Sequence, residues 1–300
     1  MTQNASNLSG KPSDIPMRPL LPLAIVTMGW LLSGCRGSMT VDLATEAASD
    51  PQVTSVMVDV AGLEFQRSDG SSDKMEFATP TRSDLVDFMQ NNPFRMFTDE
   101  MLSQGTYTGV RLIIVKDDNS ANVFRSDGTQ YPLLVADGEY TPIDFTVEKN
   151  KSSRESLALT LDLRRSLTYD AGNLQYSLTP VLRSVPTDKA AQISGNVAIT
   201  CPVGTSLATG GAVYLYTGED VDPNDIGSAV QPYATTAITT NFLNAQPSYT
   251  LRFLAAGDYT IAATCNGNDD SPSSDDSVTF IGTGNVQVSE AETATRNLTN

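Results

Sequence analysis

The 300-residue chain contains no histidine. Histidine is the side chain whose charge normally changes near neutral pH, so its absence excludes Ser-His-Asp and Cys-His catalytic groups and histidine-ligated zinc. The chain also lacks the glycine-rich loops that cradle phosphates in P-loop and dinucleotide-binding proteins. We therefore predict that the protein is not an enzyme. Paired carboxylates acting on a glycosidic bond remain the catalytic alternative.

Basic residues are scarce as well. The chain has 19 Lys and Arg residues against 35 Asp and Glu residues, which gives a net charge of −16. A surface with this charge repels nucleic acid and anionic lipid, so we predict no nucleic-acid partner. Metal cations, cell-envelope proteins and neutral glycans remain compatible partners.

One long apolar run is present, at residues 20–32. It follows Arg18 and is interrupted by Pro22 and Gly29, and it is shorter than the about 20 residues that a membrane-spanning helix needs. A basic residue, an apolar run and small residues in this order indicate a secretory signal. The run ends in Leu-Ser-Gly-Cys at 32–35, which resembles the lipobox of bacterial lipoproteins. A buried helix or an uncleaved membrane anchor is the alternative interpretation.

The lipobox resemblance implies a signal peptide at residues 1–34, cleavage between Gly34 and Cys35, and acylation of Cys35. The protein would then be anchored in the bacterial cell envelope by its lipid. Arg36 follows the cysteine in place of an aspartate, which by the same resemblance favours the outer membrane over the inner membrane. We also expect translation to start at Met17, because a signal that begins there has the usual short charged segment.

Alternating apolar residues dominate the first half of the chain and predict β-strands. Three valines alternate within 53–65, and similar patterns predict strands at 107–115, 122–125, 130–135, 143–147, 157–163 and 176–181. One segment, 82–97, has a helical pattern in which Ser83 is a candidate cap. An Asn-Asn-Pro sequence interrupts it, so we predict short helices there at most. The first half is therefore predicted to be almost entirely β-structure.

A change of composition follows residues 186–190, which read as a linker. Short strands are predicted beyond it at 192–200, 212–217, 235–241, 249–254, 258–265, 278–281 and 285–288. This spacing is typical of β-sandwiches, so we predict an all-β protein with two tandem antiparallel β-sandwich domains, at 39–185 and 191–300. Cys201 and Cys265 follow two of these strands and are predicted to form a disulfide, with two free buried thiols as the alternative.

Several segments of the first predicted domain carry a family resemblance. Residues 39–65, the sequence Leu-Ser-Gln-Gly-Thr-Tyr-Thr-Gly-Val-Arg-Leu at 102–112, and the segments 161–167 and 176–183 resemble the bacterial domain-of-unknown-function 4382 family (DUF4382). The resemblance covers residues 39–185. It implies an exported lipoprotein of β architecture and implies no particular activity.

The second predicted domain has a resemblance of its own. Its segment Ala-Ala-Gly-Asp-Tyr-Thr-Ile-Ala-Ala at 255–263 is similar to the Leu-x-x-Gly-x-Tyr-x-Val turn of carboxypeptidase-regulatory and transthyretin-like sandwiches. In such a turn Gly257 permits the tight bend, and Tyr259 and Ile261 point to the same face of the following strand.

An acidic loop in the second half places oxygen-bearing side chains at alternating positions, as hard cations such as calcium favour. The candidate calcium ligands in this loop are Asp220, Asp222, Asn224 and Asp225. Two acidic pairs, at 269–270 and 275–276, are further contributors. A solvated turn is the alternative, because Asp, Asn, Pro and Gly also favour turns for backbone reasons.

Three functions are compatible with these features. We expect a non-catalytic envelope lipoprotein that binds or supports another envelope component. A glycan-binding accessory module is the first alternative and needs exposed aromatic side chains, for which the candidates are Tyr214, Tyr216, Tyr233, Tyr249 and Tyr259. Burial in the sandwich is the better interpretation for most of them. A carboxylate-dependent glycoside hydrolase is the second alternative.

Overall fold

The computed structural model describes residues 37–89, 92–116, 120–148, 153–240 and 246–300. The predicted signal peptide, the Gly34–Cys35 cleavage site, the lipid on Cys35 and the start at Met17 lie outside these residues and stay predictions. Within the described part of the chain, no helix is long and apolar enough to cross a membrane.

The described residues are almost entirely β-structure, which confirms the all-β prediction. The strands of the first half are β1 (Gly37–Glu46), β2 (Val53–Arg67), β3 (Ser72–Asp84), β4 (Phe94–Leu102), β5 (Gly105–Ile114), β6 (Asn122–Arg125), β7 (Gln130–Val135), β8 (Thr141–Val147), β9 (Arg154–Asp162), β10 (Leu167–Asp170), β11 (Gln175–Leu178) and β12 (Leu182–Pro186). The strands of the second half are β13 (Ala191–Ala198), β14 (Ala212–Thr217), β15 (Ala234–Ala237), β16 (Thr239–Thr240), β17 (Pro247–Leu254), β18 (Gly257–Thr264), β19 (Phe280–Val288), β20 (Thr293–Thr295) and β21 (Leu298–Thr299). The helical segments are single turns, namely α1 (Leu163–Ser166), α2 (Leu207–Gly210) and the 3-10 turns Leu85–Phe88, Thr187–Lys189 and Gly267–Asp269.

The strands form four sheets, two in each half. In the first half, one sheet has the order β12-β9-β1-β4, and a larger one has the order β10-β11-β7-β6-β2-β5-β8 with β3 also paired to β2. In the second half, one sheet has the order β16-β17-β13-β20, with β21 also on β13, and the other has the order β15-β14-β18-β19. No sheet of the described residues contains strands from both halves. The division into domains at 39–185 and 191–300 itself stays a prediction.

The expectation of antiparallel sheets is wrong for four strand pairs in the described residues. β1 pairs in parallel with β9, β11 with β7, and β13 with both β20 and β21. Parallel pairing requires a crossover between distant segments, which alternation within one strand does not reveal. The sheets are therefore mixed.

The segment 82–97 contains one short helical piece, in keeping with the prediction of short helices at most. β3 extends to Asp84, one short 3-10 turn follows at Leu85–Phe88, and β4 begins at Phe94. The turn is capped by Asp84, whose carboxylate accepts a hydrogen bond from the backbone nitrogen of Val86 (3.0 Å), and not by Ser83. Leu85 is the buried residue of the turn, and Val86 and Phe88 also pack against the core, which explains the apolar pattern there.

Each half has a hydrophobic core of its own, and alternation determines which residues enter it. On β2 the side chains of Val56, Val58 and Val60 are fully buried, while Met57 and Asp59 between them are partly exposed. The second core contains Val213 and Leu215 of β14. Successive strand residues point to opposite faces, so one face of each strand supplies the core.

A leucine-x-x-glycine-x-tyrosine turn occurs once in each half, and the same tyrosine hydrogen bond closes both. The Tyr107 hydroxyl donates to the carbonyl of Ser103, and the Tyr259 hydroxyl donates to the carbonyl of Ala255, both at 2.8 Å. The tyrosine and the first leucine of each turn are buried. Each turn thus ties the start of a strand to the residue four positions earlier.

Cys201 and Cys265 form a disulfide across 64 residues of the chain, with their Cα atoms 5.7 Å apart. Cys201 lies just after β13, and Cys265 directly follows β18. The predicted pairing is therefore confirmed. The bond links two loops at one end of the second half.

Candidate functional site

Three aspartates from two loops of the second half meet in the folded protein. Asp225 lies in loop 218–233, which joins β14 to β15, and Asp270 and Asp276 lie in loop 265–279, which joins β18 to β19. One carboxylate oxygen from each residue lies within 4.8 Å of those of the other two. We call these three residues the acidic cluster.

Backbone hydrogen bonds hold the carboxylates of the acidic cluster in place. Asp225 Oδ2 accepts from the backbone nitrogens of Gly227 (3.1 Å) and Asp276 (2.9 Å), and Asp270 Oδ1 accepts from the backbone nitrogen of Ile226 (3.1 Å). The last two bonds run between the loops. Each loop therefore fixes a carboxylate of the other.

Glycine at position 227 permits this close approach. A Cβ atom there would lie 1.6 Å from the carbonyl oxygen of Ser274 on the opposite loop, which no side chain can tolerate. Close contact between two backbones is one of the few requirements that only glycine meets. The sequence between Asp225 and Ser228 is thus adapted to the contact between the loops.

The acidic cluster has no salt-bridge partner in the described part of the chain. Asp225 is fully buried, and its Oδ1 atom has no hydrogen-bond partner among the described residues. Asp270 is 1% exposed and Asp276 is partly buried.

Tyr214 connects the acidic cluster to a cation of the first half. Its hydroxyl donates to Asp270 Oδ2, and Arg164 Nη1 donates to that hydroxyl (3.3 Å) and to the carbonyl of Gly267. Burial raises the pKa of Tyr214, so the phenol stays a hydrogen-bond donor. Burial also raises the pKa of Asp270, with the Tyr214 hydrogen bond opposing that shift.

The other residues predicted as calcium ligands do not join the acidic cluster. Asp220 and Asp222 are exposed, and the Asp220 carboxylate accepts a hydrogen bond from the side-chain amide of Asn285 (2.9 Å). The Asn224 side-chain oxygen accepts from the backbone nitrogen of Asp225 (3.0 Å). Asp225 is the member of the predicted set that lies in the cluster. Sequence patterns of single loops could not show which distant acids would meet it.

The tyrosines considered for a glycan platform are mostly interior. Tyr214, Tyr216, Tyr249 and Tyr259 are each at most 3% exposed, and the partly buried Tyr233 stacks on Tyr259 with ring centroids 5.5 Å apart. Tyr214 and Tyr216 form a small separate cluster with Ile226 of loop 218–233. They therefore do not offer an exposed aromatic surface to a sugar.

A buried ion pair lies where the two halves meet. Arg183 of β12 donates from Nη2 to Glu46 Oε1 of β1 (2.8 Å) and from Nη1 to the carbonyl of Tyr233 (3.2 Å). Glu46 Oε2 accepts from the backbone nitrogen of Thr235 (3.2 Å). Burial raises the pKa of Glu46 to about 7, with the positive charge of Arg183 opposing that shift. Sequence analysis did not single out either residue, since nothing local distinguishes them from surface charges.

Comparison with solved structures gives similarities of low quality. The Bacillus anthracis TIE protein is 10% identical over 88% of this chain, with a TM-score of 0.19, and this chain spans 34% of it. A proposed adhesin from Bacteroides ovatus is 7% identical with a TM-score of 0.24, and a proposed cell adhesion protein from Bacteroides fragilis is 10% identical with a TM-score of 0.21. For both, the alignment covers 88% of this chain and 92% of the other. At these scores the similarities carry no argument about function.

Comparison with curated proteins gives no match. Among protein-family models, one matches the first half of the chain, at residues 37–180. Its description is "Domain of unknown function (DUF4382)". This agrees with the family resemblance noted for residues 39–185, whereas the resemblance of 191–300 to carboxypeptidase-regulatory and transthyretin-like sandwiches stays a prediction. Residues 37–180 of this chain are a DUF4382 domain.

Proposed function

We propose that the protein is a lipid-anchored component of the bacterial cell envelope, and that it acts by binding or structural contact instead of catalysis. The acyl groups on Cys35 would hold it to the membrane, with the outer membrane favoured. Its partners would be an envelope protein or a glycan and not a nucleic acid, as the net charge of −16 favours.

The observation that supports a non-catalytic role is the burial of the acidic cluster. A glycoside hydrolase needs two carboxyl groups that flank a bound sugar in an open cleft. Asp225 and Asp270 are at most 1% exposed, and backbone nitrogens of the two loops donate to one oxygen of each. A sugar could reach them only if both loops came apart.

The contacts between the halves support a structural role. Arg183 and Arg164 reach from the first half to backbone carbonyls of the second, at Tyr233 and Gly267 respectively. Hydrogen bonds from a charged group are stronger than neutral ones and are directional. The two halves therefore have the contacts to act as one rigid body on a lipid anchor.

The anchor is tested by expressing the full chain, Cys35→Ala and the control Ser38→Ala in a Gram-negative host with labelled palmitate. We expect label and outer-membrane fractionation for the wild type and Ser38→Ala, and loss of both for Cys35→Ala. A wild-type Cys35 peptide without acyl mass would contradict the anchor. Crosslinking in living cells then identifies the partner, and release of reducing sugar from a polysaccharide panel would contradict the non-catalytic role.

A further inference from the structure

We propose that Asp225, Asp270 and Asp276 form a Ca²⁺ site that links loop 218–233 to loop 265–279. This inference does not rest on the lipid anchor or on the absence of catalysis. It rests on the charge, burial and unpaired oxygen of the acidic cluster.

The first argument is the charge. Burying a carboxylate is unfavourable unless the charge is paired or coordinated to a metal. Two of the three carboxylates are buried, and none of the three has an ion-pair partner among the described Lys and Arg residues. Arg164 donates to the Tyr214 hydroxyl that bonds Asp270, and its positive charge partly offsets the burial of Asp270 without forming an ion pair with it. A divalent cation between the carboxylates would supply the missing positive charge.

The second argument is the unpaired oxygen. Asp225 is fully buried, and its Oδ2 atom is engaged by two backbone nitrogens while Oδ1 has no partner in the described part of the chain. A buried acceptor without a partner is costly. The hydrogen bonds to Oδ2 hold the carboxylate in place, and Oδ1 has no donor that a metal ion would have to displace. Oδ1 is therefore available as a metal ligand.

The identity of the ion follows from the donor set and the spacing. All three ligands are carboxylate oxygens, which favour hard cations over zinc or copper. Ca²⁺ binds oxygens at about 2.3–2.6 Å, so two ligands of one ion lie up to about 5 Å apart. The oxygens of the cluster lie within 4.8 Å of one another. Ca²⁺ also accepts an irregular shell completed by carbonyl oxygens and water, whereas Mg²⁺ demands a near-ideal octahedron.

The position of the site gives the ion a structural consequence. Loop 265–279 begins at Cys265 of the disulfide and contains Gly267, whose carbonyl accepts from Arg164 of the first half. Ca²⁺ would hold this loop against loop 218–233 and thereby hold the surface on which Arg164 docks. The ion would stabilise both the second half and its contact with the first.

Binding is tested on the full chain in detergent after removal of metal with a chelator. Calorimetric titration with Ca²⁺ should show one saturable site. Tb³⁺ should give luminescence on tyrosine excitation, because Tyr214 contacts Asp270 directly, and Ca²⁺ should displace it. Saturating Ca²⁺ should raise Tm by about 5 °C, and Mg²⁺ should raise it less.

Three variants assign the ligands. We expect Asp225→Asn and Asp276→Asn to weaken Ca²⁺ binding by about tenfold or more, because each removes a charged ligand. Asp222→Asn is the matched control, since it removes the same charge from an exposed residue of the same loop, and it should bind as the wild type does. Circular dichroism confirms that each variant is folded. If Asp225→Asn does not fold, the comparison of Asp276→Asn with Asp222→Asn still tests the site, because Asp276 is only partly buried.

Three results would overturn the proposal. A folded wild-type protein that shows neither Ca²⁺ heat nor Tb³⁺ luminescence would exclude the site. Binding by folded Asp276→Asn as tight as that of Asp222→Asn would place the ion elsewhere. An equal response to Mg²⁺ would contradict the assignment to calcium.

Discussion

Arg183 and Glu46 form an ion pair at 2.8 Å although 137 residues separate them in the chain. Their side chains are 8% and 0% exposed. The remaining donors of Arg183 contact the carbonyls of Tyr233, Arg252 and Phe253 in the second half. The guanidinium is therefore satisfied only when both halves are folded and in contact.

Removal of Arg183 should be strongly destabilising. Arg183→Ala removes a positive charge that contacts the buried Glu46 carboxylate, and breaking a buried pair on one side costs about 3–5 kcal/mol of unfolding free energy. The control is Arg95→Ala, which breaks the ion pair of Arg95 with Asp42 at a side chain that is 55% exposed. That change should cost about 1 kcal/mol or less. Urea unfolding monitored by circular dichroism measures both, and equal losses would contradict the role of Arg183.

The pair should make stability depend on pH. The pKa of Glu46 is about 7 in the folded protein, above its ordinary value of 4.5, because of burial. A raised carboxyl pKa contributes stability that is fully present below about pH 4.5 and is lost as the pH rises through about 7. We expect the wild-type unfolding free energy to fall by up to about 3 kcal/mol across this window. The fall should be smaller in Glu46→Gln.

Glu64→Gln is the control for the pH experiment. Although burial opposes the shift, hydrogen bonds from Ser72 and Arg111 lower the pKa of Glu64. Its contribution is present above its ordinary pKa and is lost as the pH falls, so Glu64→Gln should keep the wild-type decline between about pH 4.5 and 7. A decline in Glu46→Gln as steep as that of the wild type would exclude Glu46 as its cause.

Reduction of the disulfide should destabilise the second half. In the chain-entropy model, a bond that closes a loop of 64 residues contributes about 4 kcal/mol. We expect the double variant Cys201→Ser/Cys265→Ser to unfold at lower urea concentration than the wild type, and reductant to shift only the wild type. Mass spectrometry checks that the reductant has reduced the disulfide of the wild type. If the urea midpoint of the reduced wild type does not change, this contribution is contradicted.

The two tyrosine turns should differ in strength. Tyr259→Phe removes one hydrogen bond, to Ala255, and should cost about 1 kcal/mol. Tyr107→Phe removes a hydroxyl whose hydrogen is shared by the Ser103 carbonyl and the Asp73 carboxylate and whose oxygen accepts from Arg67. It should cost more, since bonds to charged groups are stronger. Chemical unfolding of the two variants tests the order, and the reverse order would show that the Asp73 contact contributes little.

Local patterns predicted many of the strands because alternation is visible in consecutive residues, but they predicted no strand at β3 (Ser72–Asp84) or β4 (Phe94–Leu102). The expected strand at 53–65 corresponds to β2 (Val53–Arg67), and the expected strand at 212–217 corresponds to β14 (Ala212–Thr217). At 82–97 the apolar spacing predicted short helices at most, and the structure has one 3-10 turn between the end of β3 and the start of β4. The disulfide was also predictable, since assigning Cys35 to the proposed lipid anchor leaves Cys201 and Cys265 as a single pair.

Long-range relationships were decided only by the tertiary structure. Asp225 meets Asp270 and Asp276, and Glu46 meets Arg183, because the chain brings distant loops and strands together. The same holds for the parallel pairing of β1 with β9. The sequence by itself determined strand positions, the cysteine pair and the net charge, since these depend on near neighbours and composition. Which charges became buried, and beside which partners, depended on packing between segments far apart in the chain.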